Sequence, residues 1–383
     1  MVHPNRPFLR SVGMMIGAIV GVGVFGLPYA FAQGGFGLGL LELFFLGGLL
    51  VVLQLMLGEI VAQTPGHHRL VNYIGIYTGR FWKWVTLVAL SLGVWGAMLA
   101  YMLVGGTFLH LLLSPILGGG EAVYSYALAI IASALVFGGL VLASRIEYLV
   151  VGALLFLFTF IILASLPLVD VSHYTTLDLK EFFIPYGVIL FSLSGMGIVP
   201  ELKDVLGKTY RRLLSPVIVT GMGIILLLYA LFAFAVVGVT GADTSPMAFE
   251  GLVPDLGTTF LVVATLLGSL TILSIYMVLG IELLNTFKFD FNLRHKTAWF
   301  LVCAVPVVLF ALGMREFVDI IGFVGSVFGG VLGILVALSY WSMRRRGLCR
   351  THHCINFPAP LTWLIIAIFA AGIIWEVVMV LLT

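Results

Sequence analysis

Charge is what this 383-residue chain has least of: Lys, Arg, Asp and Glu together make up 9% of it, against about 25% in soluble domains. With 61% hydrophobic residues and a mean hydropathy of +1.18, it lacks the polar side chains to cover a water-exposed globular surface, so it reads as a polytopic membrane protein. Cysteine is also scarce, with three in all and Cys303 inside an apolar run, which gives no disulfide framework. No GxxxxGK[ST] loop and no HExxH occur, and the stretches between apolar runs are too short to hold a catalytic domain. ATP-driven pumping by this chain alone and enzymatic function are therefore not expected. The net charge of +2 is spread through short loops rather than gathered in a patch, which argues against a nucleic-acid partner. No small-residue cleavage site follows the apolar start at Phe8, so the N-terminus is expected to stay attached.

What is present is a series of roughly eleven apolar runs of bilayer-spanning length, about 20 residues each. They fall at about 8 to 32, 37 to 63, 82 to 113, 122 to 143, 148 to 168, 184 to 210, 212 to 238, 257 to 286, 297 to 313, 317 to 342 and 359 to 382. With the N-terminus in the cytoplasm, all 19 Lys and Arg except Lys180 and Arg315 fall on the cytoplasmic side, the asymmetry of the positive-inside rule. The C-terminus is then expected outside, in a bacterial or archaeal cytoplasmic membrane.

Two of these runs should break. Residues 16 to 28, IGAIVGVGVFGLP, place four glycines and Pro28 in the first run, and residues 184 to 201, IPYGVILFSLSGMGIVPE, place Gly195, Gly197 and Pro200 in the sixth. An unpaired peptide group in lipid costs several kcal/mol, so irregular backbone at that depth persists only where protein, water or a ligand satisfies it. Five spans separate the two breaks and reverse the second, so the expected fold is all-α, with two inverted five-helix units. The boundaries are a tail at 1–7, units at 8–168 and 184–342, a basic cytoplasmic loop at 343–358 and an appended helix at 359–383.

A half-helix start offers free N–H groups and a half-helix end offers free carbonyls, which together suit a zwitterion. The expected carboxylate contacts are the amides of Val22, Gly23 and Val24. The expected ammonium contacts are carbonyls near Ala18 and Ile19 and across Phe191, Ser192 and Ser194, with Gly21, Gly23 and Gly195 allowing close approach. Glycines can equally serve tight helix crossing.

The string GAIVGVGVFGLPYAF, the second break with Pro200-Glu201, and LGEIVAQTPG at 57 to 66 resemble the first, sixth and second helices of the amino acid/auxin permeases and bacterial aromatic amino acid permeases, within the amino acid, polyamine and organocation superfamily. That resemblance implies a LeuT-like 5+5 inverted repeat with broken helices 1 and 6. It also implies secondary active transport of a small-molecule amino acid across the lipid bilayer by alternating access, with no cofactor beyond a coupling Na+ or H+. Side-chain selectivity would fall to Trp95, Tyr101, Ser192, Ser194 and Met196. These are mostly apolar, and no acidic residue lies mid-way along the third span, which favours a neutral or aromatic substrate. In sodium-coupled relatives a cation sits between first- and eighth-helix oxygens, and the matching positions are Gly17, Val20, Thr271 and Ser274. The adjacent hydroxyl pair common in such sites is absent, and Ala18 and Val24 stand where relatives with a second cation carry Asn. For proton coupling, the lysine that some relatives place in helix five is missing from 148 to 168, leaving Glu201 as the foremost candidate, with Glu59 and Glu282 nearer the cytoplasmic ends. A non-transporting amino acid sensor on the same fold and a carrier of another small solute are the alternatives. The run Cys349 to Cys354, with His352 and His353, is spaced too closely to wrap a tetrahedral metal well, so no metal site is expected.

Overall fold

A chain this apolar satisfies its backbone in lipid by coiling, and among the described residues there is helix and no strand. The computed structural model describes residues 5–138, 143–175, 181–207, 209–248, 250–290, 292–348 and 355–382. The Cys349 to Cys354 run lies outside them.

The helices are, in chain order, α1 (Asn5–Ile19), α2 (Gly23–Gly34), α3 (Phe36–Gln63), α4 (Leu70–Thr78), α5 (Arg80–Leu117), α6 (Glu121–Gly138), α7 (Ala143–Ser165), α8 (Ile184–Ser192), α9 (Ile198–Leu206), α10 (Leu214–Thr240), α11 (Val253–Asp290), α12 (His295–Ala311), α13 (Phe317–Phe323), α14 (Gly330–Arg345) and α15 (Ala359–Leu382). Among the described residues seven helices have the length and apolarity to cross a membrane unaided, and α1 with α2 form an eighth crossing bent by 62°. The first break falls at residues 20 to 22, and the second at 193 to 197, between α8 and α9.

Two departures from the sequence reading have physical causes. The loop after the second run contains α4, whose nine residues are too few to span and whose amphipathic packing sets it against α5 and α14. Glycines with positive φ mark two of the junctions: Gly79 (φ 97) divides α4 from α5, and Gly35 (φ 102) divides α2 from α3, conformations that a Cβ would oppose. The tenth run is not one regular helix, because residues Val324–Gly329 widen into a π turn between α13 and α14. There Gly325 lies so close to α8 that a Cβ would overlap the Gly187 carbonyl oxygen, and the widened turn accommodates that approach.

Packing sorts most helices into two groups. Helices α5, α6, α11 and α12 all contact one another, while α1, α2 and α3 pack with α8, α9 and α10. The two breaks sit within the second group and face the first across α5 and α11.

Candidate functional site at the paired breaks

The glycines of each break let the other break come close. A Cβ on Gly23 would stand 2.6 Å from Ser192 Oγ and 2.8 Å from both Phe191 Cδ1 and Ser192 Cα, and a Cβ on Gly195 would overlap Ile19 Cγ1. Real Cβ atoms keep about 3.5 Å or more from other carbons, so both glycines are needed for this crossing. The small-residue reading of these glycines is thus part of the geometry.

The converging backbone ends are satisfied by two tyrosines from neighbouring helices. The Val22 amide donates to the Tyr101 hydroxyl of α5 at 3.2 Å. The Tyr229 hydroxyl of α10 donates to the Ser192 carbonyl at 2.9 Å and reaches the Ile19 carbonyl at 3.4 Å. Within the second break, Ser194 N–H returns to the Phe191 carbonyl, and the Ser192 and Ser194 hydroxyls bond Val188 and Leu190 carbonyls four residues back.

Below the crossing, toward the end of the molecule that carries Arg69 and Lys203, lies a cavity of about 280 Å³. Gly17 and Ala18 line it from the first break, and Phe191, Ser194, Gly195 and Met196 from the second. Leu90 and Val94 of α5, Ile275 of α11 and Phe328 of the π turn complete a largely apolar wall. Two carboxylates, Glu201 of α9 and Glu282 of α11, also face it, and Glu282 Oε1 lies 3.2 Å from where a Gly197 Cβ would be, beside the start of α9. Glu282 reads in the sequence only as an acid near a cytoplasmic end, and the π-turn residues carry no signal that singles them out, since their position depends on how α11 and the π turn pack.

Above the crossing the protein is closed. Phe25 of α2 packs edge-on or tilted against Phe108, Phe158 and Phe232 at centroid distances of 5.7, 5.6 and 6.2 Å. Beside this plug, Gly21, Val22, Tyr101 and Thr271 surround a void of only about 10 Å³, room for one water at most.

The sequence-derived candidates therefore divide. Gly17, Ala18, Phe191, Ser194, Gly195, Met196, Glu201 and Ser274 meet at the cavity, whereas Gly21, Val22, Tyr101 and Thr271 meet at the small void. Ile19, Gly23 and Ser192 form the crossing itself, and Val20 and Val24 are buried in the core. The four oxygens expected around a sodium ion are not gathered: Ser274 faces the cavity with Gly17, while Thr271 faces the void and spends its hydroxyl on the Leu267 carbonyl. Trp95 lines neither space and packs its ring against Phe287 at 5.8 Å. Glu376 lies far from the breaks in a separate pocket of about 290 Å³ with Glu181 and Asp319.

The inner end of the second broken helix is tied down. Lys203 of α9 donates to the Thr64 and Gly66 carbonyls and to the Tyr73 hydroxyl at 3.0 to 3.1 Å, and Asp204 pairs with His67 at 2.8 Å. Burial in this latch raises the Tyr73 phenol above its ordinary pKa.

Two broken helices thus cross inside an apolar helical bundle, plugged on one side and hollow on the other, the geometry of a binding site closed from one face. The family model for transmembrane amino acid transporter proteins matches residues 5–382, and the chain belongs to that family. The crystal structure of MhsT in complex with L-phenylalanine shares the fold, with a TM-score of 0.70 over 97% of both chains at 17% sequence identity. No protein in the curated set matches the sequence.

Proposed function

We propose that the chain is a secondary active transporter that binds a neutral or aromatic amino acid at the two breaks and carries it by alternating access, driven by a Na+ or H+ gradient. The observation that carries this reading is the pair of crossed breaks opening into one cavity of about 280 Å³ with mostly apolar walls. That volume suits a large side chain, and Phe191, Met196, Val94 and Phe328 offer it apolar surface. The family and the phenylalanine complex of MhsT point the same way.

In this reading the chain crosses the membrane eleven times, in two inverted five-helix units and an appended eleventh helix. Helices α1, α2, α8 and α9 rock against the α5, α6, α11 and α12 scaffold. The phenylalanine plug marks the outside, and the hollow, basic end marks the cytoplasm. The structure is then the inward-facing state: the Tyr101 hydroxyl oxygen accepts from the Val22 amide that a substrate carboxylate takes once the site is formed, and withdrawal of the Tyr101 ring frees it. Sodium would bridge Gly17 and Val20 to Ser274 and Thr271 after those two hydroxyls are brought to one side. A proton would use Glu201, which already faces the cavity.

The test is equilibrium binding of labelled L-phenylalanine and L-leucine to the purified protein, competed with unlabelled lysine and glutamate. The reading expects the neutral amino acids to bind and the charged ones to compete weakly. Binding that persists unchanged in a Gly195→Leu variant would contradict the site.

A further inference from the structure

The Tyr229 hydroxyl occupies an unusual position. Its two carbonyl partners, Ile19 and Ser192, are the last residues of α1 and α8. A helix end carries unpaired carbonyls and roughly half a negative charge, so two such ends converge on one O–H group that reaches them from a third helix, α10. Tyr229 is fully buried, as are Ile19 and Ser192 to within a few per cent. No water supplies a donor at such a point without a cavity to hold it, and the cavity below is not lined by Ile19, Ser192 or Tyr229.

Converging carbonyl ends in a buried site invite a monovalent cation, because hard cations take oxygen ligands and lower the mutual repulsion of the two helix ends. A phenol donor meets the same need with a partial charge and without bringing a full charge out of water. We infer that the Tyr229 hydroxyl is a built-in substitute for a cation between the two breaks, tying the inner half of the first broken helix to the outer half of the sixth, so that any coupling cation binds elsewhere. Resting on the proposal that substrate binds at the breaks, it also assigns the ammonium to the side of Ala18, Phe191 and Ser194. Those residues face the cavity, while Ile19 and Ser192 are engaged by Tyr229.

The strut can be read without substrate. The melting temperature of the empty, purified protein is measured in choline, sodium and lithium chloride at matched ionic strength. The Thr271→Ala, Ser274→Ala background is used because it removes both α11 hydroxyls offered to a cation elsewhere. That background alone should melt at one temperature in all three salts. The background with Tyr229→Phe added should melt several degrees lower in choline, and sodium or lithium should restore it in a saturable way by bridging the vacated carbonyls. In parallel, L-leucine affinity in choline should fall roughly tenfold or more on Tyr229→Phe, the scale of leaving buried polar groups unpaired. A Tyr229→Phe variant of that background indifferent to alkali cations makes Tyr229 an ordinary packing residue and overturns the inference. So does sodium stabilisation of equal size with and without Tyr229→Phe. If that variant does not fold, Tyr229→Phe compared with wild type in the same salts decides between the same outcomes. Absence of leucine binding by the wild type would count against the substrate site and leave the melting comparison to decide the strut.

Discussion

Gly23→Ala is the smallest perturbation that should separate the two breaks. The added methyl would lie 2.6 Å from Ser192 Oγ and 2.8 Å from Phe191 Cδ1 and Ser192 Cα. Carbon atoms at optimal separation stand about 3.5 to 4.0 Å apart, so the crossing must open by roughly 1 Å. The Ser192 Cα is backbone and has no rotamer by which to withdraw, so the strain falls on the α2–α8 contact. Overpacking of this kind costs about 1–3 kcal/mol, which corresponds to roughly 5- to 150-fold in an equilibrium constant if it falls on the binding-competent arrangement. The assay is L-phenylalanine or L-leucine affinity together with the melting temperature. Gly13→Ala and Gly48→Ala serve as controls, since nothing lies within 4 Å of a Cβ at either position. The controls should bind as wild type and melt no lower. A Gly23→Ala protein with wild-type affinity would refute the argument that this crossing shapes the site.

Tyr101→Phe leaves the buried Val22 amide without its 3.2 Å acceptor, so it should lower stability by about 1–3 kcal/mol, read as a drop in melting temperature. Phe25→Ala removes the ring shared by three other phenylalanines. The cost should be about 3–5 kcal/mol, and labelling of a cysteine placed at Thr271, beside the same void, should become possible from the plugged side. Lys203→Met removes three hydrogen bonds from the α3–α4 connection, and amide exchange of residues 64 to 73 should speed up severalfold without a comparable change in α5. Thr271→Ala should abolish a sodium-driven component of uptake, whereas Glu201→Gln should abolish a proton-driven one. A variant pair in which both drives survive would remove both coupling assignments.

The breaks were legible because glycine and proline interrupt apolar runs that lipid would otherwise keep helical, and the structure interrupts its helices at residues 20 to 22 and 193 to 197. The polar partners of those breaks were legible only in part: Tyr101 stands out for selectivity but not as the acceptor of the Val22 amide, and Tyr229 does not stand out. Both stand in long apolar helices where an aromatic ring ordinarily just packs, and their partners lie 79 and 37 residues away in sequence. Thr271 and Ser274 look like one face of a helix, yet three residues rise about 4.5 Å, enough to set Thr271 beside the upper void and Ser274 at the lower cavity. Helix α4 escaped notice because nine residues carry little periodic signal, and the π turn because nothing in VGSVFG distinguishes it from an ordinary helical turn. Glu282 read as an interface residue near a span end, and only the packing of α11 against the second break brings it beside Gly197.

The most direct test of the transport account is uptake of a labelled neutral amino-acid mixture into proteoliposomes, with an inward sodium gradient or an inward proton gradient imposed separately. The account predicts accumulation above the external concentration under one of the two gradients, collapsing when an ionophore dissipates it. Saturable binding with no accumulation under either gradient would contradict it and leave a sensor or a simple exchanger on this fold.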